Sequence, residues 1–133
     1  QGPMRLLPAL HERRASAGSV SDEYFWQDLH VARKVFERNP RRHFDVGSRL
    51  DGFVAHVAAF RDVEVCDIRP LPTPVPGVLF RQLDLMSDAL PEVRADSVSC
   101  LHALEHFGLG RYGDPIDPDG WRRGLSNLCR LVA

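Results

Sequence analysis

Long apolar runs are missing from this chain of 133 residues. None approaches the roughly 20 apolar residues that a membrane-spanning helix requires, so no span is expected. Strong charge of either sign is missing as well. A formal net charge of -1 gives no global field to draw in nucleic acid or an anionic membrane. The basic pairs Arg13-Arg14, Arg41-Arg42 and Arg122-Arg123 read as solvated faces. Cysteine is scarce: Cys66, Cys100 and Cys129 are odd in number and lack the short spacings of zinc ribbons and redox pairs. They read as reduced thiols of a cytoplasmic protein. The glycine-rich stretch from Gly108 to Gly113 lacks the Lys-Ser/Thr ending with which a phosphate loop holds phosphate and magnesium, and reads as a mobile loop.

What is present describes one α/β domain. The chain is long enough for a single core but short for a complete enzyme on a doubly wound sheet. Gln1-Gly2-Pro3 before Met4 has the look of a tag remnant, residues 4–20 mix Arg, Ala, Gly and Ser as a loosely held arm does, and 21–133 form the domain. Ser21, Asp22 and Glu23 supply capping groups, and the spacing of Tyr24, Phe25, Leu29, Ala32, Val35 and Phe36 predicts a helix over 22–38. Asn39-Pro40 ends it. Short apolar segments then predict strands over 43–47, 63–68, 78–83 and 97–101 and helices over 52–60 and 119–131. Strand, helix, strand units of this length build a parallel sheet, and the proline run over 70–76 can only be an extended connection. The expected strand order is 3-2-1-4. The chain stops where such a sheet would turn into another strand, so the expectation is a fold truncated after its fourth strand and the following helix.

Three acidic features lie at strand ends. Asp45-Val46-Gly47-Ser48, with Gly52 beyond it, offers a tight turn through which backbone amides and a helix N-terminus can approach a polar ligand; an ordinary strand-to-helix turn reads the same way. Asp67 follows about 20 residues later, where a carboxylate can accept ribose hydroxyls. Asp84 ends the next strand. Each of these carboxylates could equally cap a helix or form a turn, but their joint spacing is harder to obtain by chance.

The most distinctive segment is Leu101-His102-Ala103-Leu104-Glu105-His106, continued by Phe107-Gly108-Leu109-Gly110-Arg111-Tyr112-Gly113-Asp114. An apolar strand running into Leu-x-x-Leu-Glu-His resembles the fourth-strand motif of class I S-adenosylmethionine-dependent methyltransferases. The longer run resembles one branch of them, catalogued as a domain of unknown function. The likeness covers roughly residues 43 to 132. It implies a Rossmann-like fold and S-adenosylmethionine as cofactor, with Asp45, Gly47 and Ser48 beside the methionine part, Asp67 at the ribose and Asp84 near adenine. It also implies that His102, Glu105 and His106 line the transfer pocket. Arg49 departs from that family's glycine pattern.

Methyl transfer needs donor and acceptor aligned and a proton removed from the acceptor, work suited to an imidazole. His106 is the first candidate base and His102 the second, with Glu105 orienting either; a hydrogen-bonded structural histidine is the plainer reading. Arg111, Tyr112 and Asp114 are candidates for binding the acceptor or for fixing their own loop. His102-x-x-Glu105-His106 also matches inverted zinc peptidases, but those need a helix and a later carboxylate ligand, and no glutamate follows Glu105. No metal is expected. The function expected is methyl transfer to a small polar acceptor such as a sugar or polysaccharide precursor. The alternative is a non-catalytic binding or interaction module whose open sheet edge is covered by a partner or a second copy.

Overall fold

A computed structural model describes residues 20–90, 92 and 94–132 of the chain. The expected tag remnant and all of the expected arm except Val20 lie outside the described residues. Among these residues no helix is long and apolar enough to cross a membrane.

Helix α1 (Glu23–Arg38) starts where Asp22 accepts a hydrogen bond from the Tyr24 amide at 2.9 Å, which satisfies one of the orphan donors of the first turn. It ends at Asn39, whose left-handed backbone (φ 43°) lets its amide reach the Val35 carbonyl. Residues Asp28, Ala32 and Val35 are its buried face, the spacing of one helical stripe. Strands β1 (His43–Val46), β2 (Val63–Asp67), β3 (Val78–Gln82) and β4 (Ser97–Ser99) follow. They form one parallel sheet in the order β3-β2-β1-β4, as the strand, helix, strand spacing predicts. The fold is therefore α/β with a four-stranded parallel sheet, compatible with a Rossmann-like architecture.

Side-chain alternation along the strands builds two cores, one on each face of the sheet. Val63 and Val65 pack with Ala32 and Val35 of α1 and with Phe53, Val54 and Val57 of the segment after β1. On the opposite face Phe44, Val46 and Cys66 pack with Leu85, Ala95 and Leu131, the last from helix α3 (Gly120–Leu131). All of β1 is buried, as a central parallel strand with both faces covered must be.

The elements depart from the sequence expectation at several ends: β2 and β3 each stop one residue sooner and α1 and α3 each begin one residue later, and three further differences have a visible cause. The segment after β1 begins at Leu50 as a wide π-type turn (Leu50–Val54), and regular helix α2 is only Ala55–Ala58. The cause is Gly52, whose backbone (φ -125°, ψ -110°) breaks the helix where Asp28 of α1 comes in. A Cβ at Gly52 would meet Asp28 Oδ2. Strand β4 stops at Ser99 because the Leu101 amide turns away to donate to Ser48 Oγ at 3.1 Å. Strand β1 stops at Val46 because Gly47 takes φ 70°.

Between β1 and β4 lies a buried polar chain. Ser99 Oγ and Ser48 Oγ both donate to Asp45 Oδ1, the latter at 2.7 Å, and the Ser48 amide donates to Oδ2 at 3.1 Å. Since the Ser99 proton goes to Asp45, Ser99 must accept from His43 Nε2 (3.1 Å), which leaves His43 Nδ1 to accept from Ser97 Oγ (2.8 Å). Asp45 is wholly buried and His43 nearly so. Burial pushes the Asp45 carboxyl up to about 6 against the bonds from Ser99 and Ser48, and burial, helped by the Arg61 charge, pushes the His43 imidazole down to about 4.

The two shifts act on stability in opposite directions. Between about pH 4 and 6 folded Asp45 holds a proton that the unfolded chain releases, so its contribution falls as pH rises; His43 lacks one that the unfolded chain binds, so its contribution rises. Asp45→Asn removes the first effect alone. The stability of that variant minus that of the wild type, read from urea unfolding, is expected to climb as pH rises from about 4 to 6. A difference that stays flat with pH would contradict a raised Asp45.

Candidate functional site

A cavity of about 340 Å³ opens at the carboxyl ends of the strands. Its walls are Val46 and Gly47 after β1, Cys66 to Arg69 after β2, Leu83 to Met86 after β3, and residues from His102 to Phe107 after β4, with Tyr24 of α1 and Arg111, Tyr112 and Asp114 of the following loop at its rim. This is the position between β1 and β4 where the order of the strands reverses, the crevice in which open α/β sheets bind ligands.

Of the residues that the sequence nominates for a cofactor, Gly47, Asp67 and Asp84 line the cavity. Asp45 and Ser48 stand behind the wall with their polar atoms engaged by one another and by Ser99 and Leu101. Their task is to hold the turn, not to touch a ligand. Gly52 likewise faces Asp28 and not the cavity. Gly47 is required twice over. Its φ of 70° is a left-handed conformation, and a Cβ there would lie 2.8 Å from Ala103 Cβ.

Asp67 does not present a free carboxylate. Oδ1 accepts from the Arg69 amide (2.8 Å) and Nε (2.9 Å), and Oδ2 from the same guanidinium at 2.5 Å, a bidentate pair. The Arg69 guanidinium also lies 4.7 Å from the centre of the Tyr112 ring. Strand β2 is thereby tied to the loop that closes the rim. Asp84 accepts the Met86 amide on Oδ1 at 2.8 Å and lines the cavity two residues after β3.

The histidines differ in setting. His102 adopts φ 57°, uncommon for a side-chain-bearing residue and a mark of local strain at sites of function. Its ring meets Tyr24 edge to face at 4.0 Å, and its Nε2 is buried with no hydrogen-bond partner. His106 ends a single 3-10 turn (Leu104–His106). Glu105 approaches no closer than 4.0 Å to His106 Nε2, too far for a hydrogen bond, so it does not orient that ring. The helix that a zinc-peptidase motif needs is not formed here, and among the described residues no cluster of three His, Cys, Asp or Glu could hold a metal.

The 108–114 loop is gathered by one carboxylate. Asp114 Oδ2 accepts the amides of Gly108 and Gly110, each at 3.1 Å, and Oδ1 that of Tyr112 at 3.0 Å. Desolvation raises the Asp114 carboxyl, but these amides outweigh it and hold it below the ordinary value. Of the acceptor candidates, Asp114 thus serves its own loop, while Arg111 and Tyr112 remain on the rim. Sequence reasoning missed Tyr24, Arg69 and Asp28. Arg69 alone carried a signal, as a cation two residues after a strand-end carboxylate. Cys66 also lines the cavity, but burial pushes its thiol up to about 12, so it stays protonated and is no nucleophile.

Gly47→Ala is expected to cost at least about 1–2 kcal/mol from the left-handed backbone alone, with the Ala103 clash added, in urea unfolding. Stability equal to the wild type would show that the turn can rebuild without it. No protein-family model, no curated protein and no solved structure matches the chain.

Proposed function

We propose that this domain is a Rossmann-like methyltransferase domain that binds S-adenosylmethionine in the strand-end cavity and serves methyl transfer to a small polar acceptor, with a sugar or polysaccharide precursor as the acceptor class. The observation that carries the reading is the convergence of Gly47, Asp67, Asp84 and the His102 to His106 segment on one cavity at the switch point of a parallel sheet. A volume of about 340 Å³ lies in the range of small-molecule sites. His102, whose φ of 57° is uncommon for a residue that bears a side chain, lines the same cavity.

The residues fit such a cofactor on one condition. Asp67 would accept ribose hydroxyls, which requires Arg69 to leave it; Asp84 would face the base, and the Gly47 turn, held by Asp45 and Ser48, would let the amino-acid end approach. The cofactor, when bound, supplies an electrophilic methyl group. The protein's share is to align the acceptor and take its proton, and His106 is our candidate for that base. Its ring lines the cavity, and its two nitrogens lie 3.5 and 3.4 Å from Arg111 Nη1. Leu83, Leu85, Met86 and Phe107 supply apolar wall that keeps water away. The closed Asp67–Arg69 pair also gives a specific ground for the second reading, a binding or interaction module without catalysis, in which Arg69 never yields.

Calorimetric titration with S-adenosylmethionine and with its demethylated product separates the readings. Binding of both is expected. Asp67→Ala should weaken it by about tenfold or more, the worth of one hydrogen bond to a charged group, Arg69→Ala should tighten it, and His106→Ala should leave affinity intact while lowering turnover. No heat at millimolar ligand would end the cofactor proposal. Equal loss of affinity in Asp67→Ala and His106→Ala would refute the assigned roles.

A further inference from the structure

Three guanidinium groups line the cavity, and two of them are paired: Arg49 with Asp51 and Arg69 with Asp67. Arg111 is the exception, with no carboxylate partner among the described residues. Its contacts are of another kind. The Arg111 Nη1 atom is 3.5 Å from His106 Nδ1 and 3.4 Å from His106 Nε2. The Nη1 corner of the guanidinium is therefore turned toward His106. On its other contact, Arg111 Cζ lies 5.3 Å from the centre of the Tyr112 ring, which itself stands edge-on to His106.

A guanidinium carries its N–H donors in a fixed planar fork, and only its Nη1 corner is engaged by His106. Among the described residues, Nη2 and Nε of Arg111 meet no protein acceptor. Two aromatic contacts and the loop gathered by Asp114 hold the fork in place, so little side-chain freedom is lost when it binds.

We propose that Arg111 is an oxyanion subsite: it binds a carboxylate or phosphate group of the acceptor and sets the neighbouring hydroxyl or amine against His106. Naming the ligand as an acceptor rests on the methyl-transfer reading; the binding of an oxyanion at Arg111 does not. The subsite restricts the acceptor class from any small polar molecule to an acidic or phosphorylated one, with the reacting group close to the anion.

Titration of the full chain with inorganic phosphate and, separately, acetate at low ionic strength tests this. Saturable binding of at least one is expected. A preference for phosphate identifies a phosphorylated acceptor, and a preference for acetate a carboxylate. Arg111→Gln is expected to weaken binding by about tenfold or more, the loss of one charge-assisted hydrogen bond. Arg111→Lys, which keeps the charge but not the fork, should weaken it less. Arg122→Gln, on the exposed face of α3, should change nothing, and affinity for the demethylated cofactor should survive Arg111→Gln. Binding of neither anion, binding unaltered by Arg111→Gln, or an equal loss in Arg122→Gln would overturn the subsite. Phosphate binding that depends on Arg111, in a chain that ignores the demethylated cofactor, would uphold the subsite and remove the methyl-transfer reading.

Discussion

The buried carboxylate of Asp45 is the interaction on which the site depends. A carboxylate without exposure is tolerable only if its oxygens are bonded, and here the bonds come from both sides of the β1–β4 seam. Ser99 belongs to β4, Ser48 to the turn after β1, and Ser48 in its turn accepts the amide of Leu101. One side chain therefore fixes where β1 ends, where β4 ends, and how far apart the two departing segments stand. The cavity is the gap that this leaves. Gly47 lines it because Asp45 and Ser48 bend the chain there, and Ala103 comes close to Gly47 because Leu101 is held to Ser48.

A second tie crosses the mouth. Arg69 joins the carboxylate of Asp67 to the ring of Tyr112, and Tyr112 belongs to a loop that Asp114 binds to itself. The end of β2 and the rim loop are thus mechanically linked through one guanidinium. Any ligand that takes Asp67 must move Arg69, and any movement of Arg69 is felt at Tyr112. Two ligand positions that touch no common residue become coupled by that side chain. The left-handed backbone of His102 and the guanidinium of Arg111, which has no carboxylate partner among the described residues, both border the same cavity.

Periodicity made the scaffold legible. The apolar stripe of α1, the four short strands and their order follow from side-chain spacing and connection length, properties local to each segment. The position of Asp67 at the end of β2 was legible for the same reason, while Asp84 falls two residues past the end of β3. Asp45 and Ser48 show where such reasoning ends. Their position after β1 suits a ligand-binding turn, but the direction of their side chains depends on Ser99 and Leu101, more than fifty residues away. Gly52 fits a glycine pattern yet exists for the approach of Asp28 from another helix. Tyr24, Asp28 and the pairing of Arg69 with Tyr112 are consequences of packing between distant segments, and nothing local announces them.

The central claim concerns what occupies the gap between Gly47 and Asp67. A crystal grown with the demethylated product of S-adenosylmethionine tests it most directly. Nucleoside density against Gly47 and Asp67, with Arg69 swung off the carboxylate, is the predicted result. Density elsewhere, or none at saturating ligand with the Asp67–Arg69 pair still closed, would contradict it.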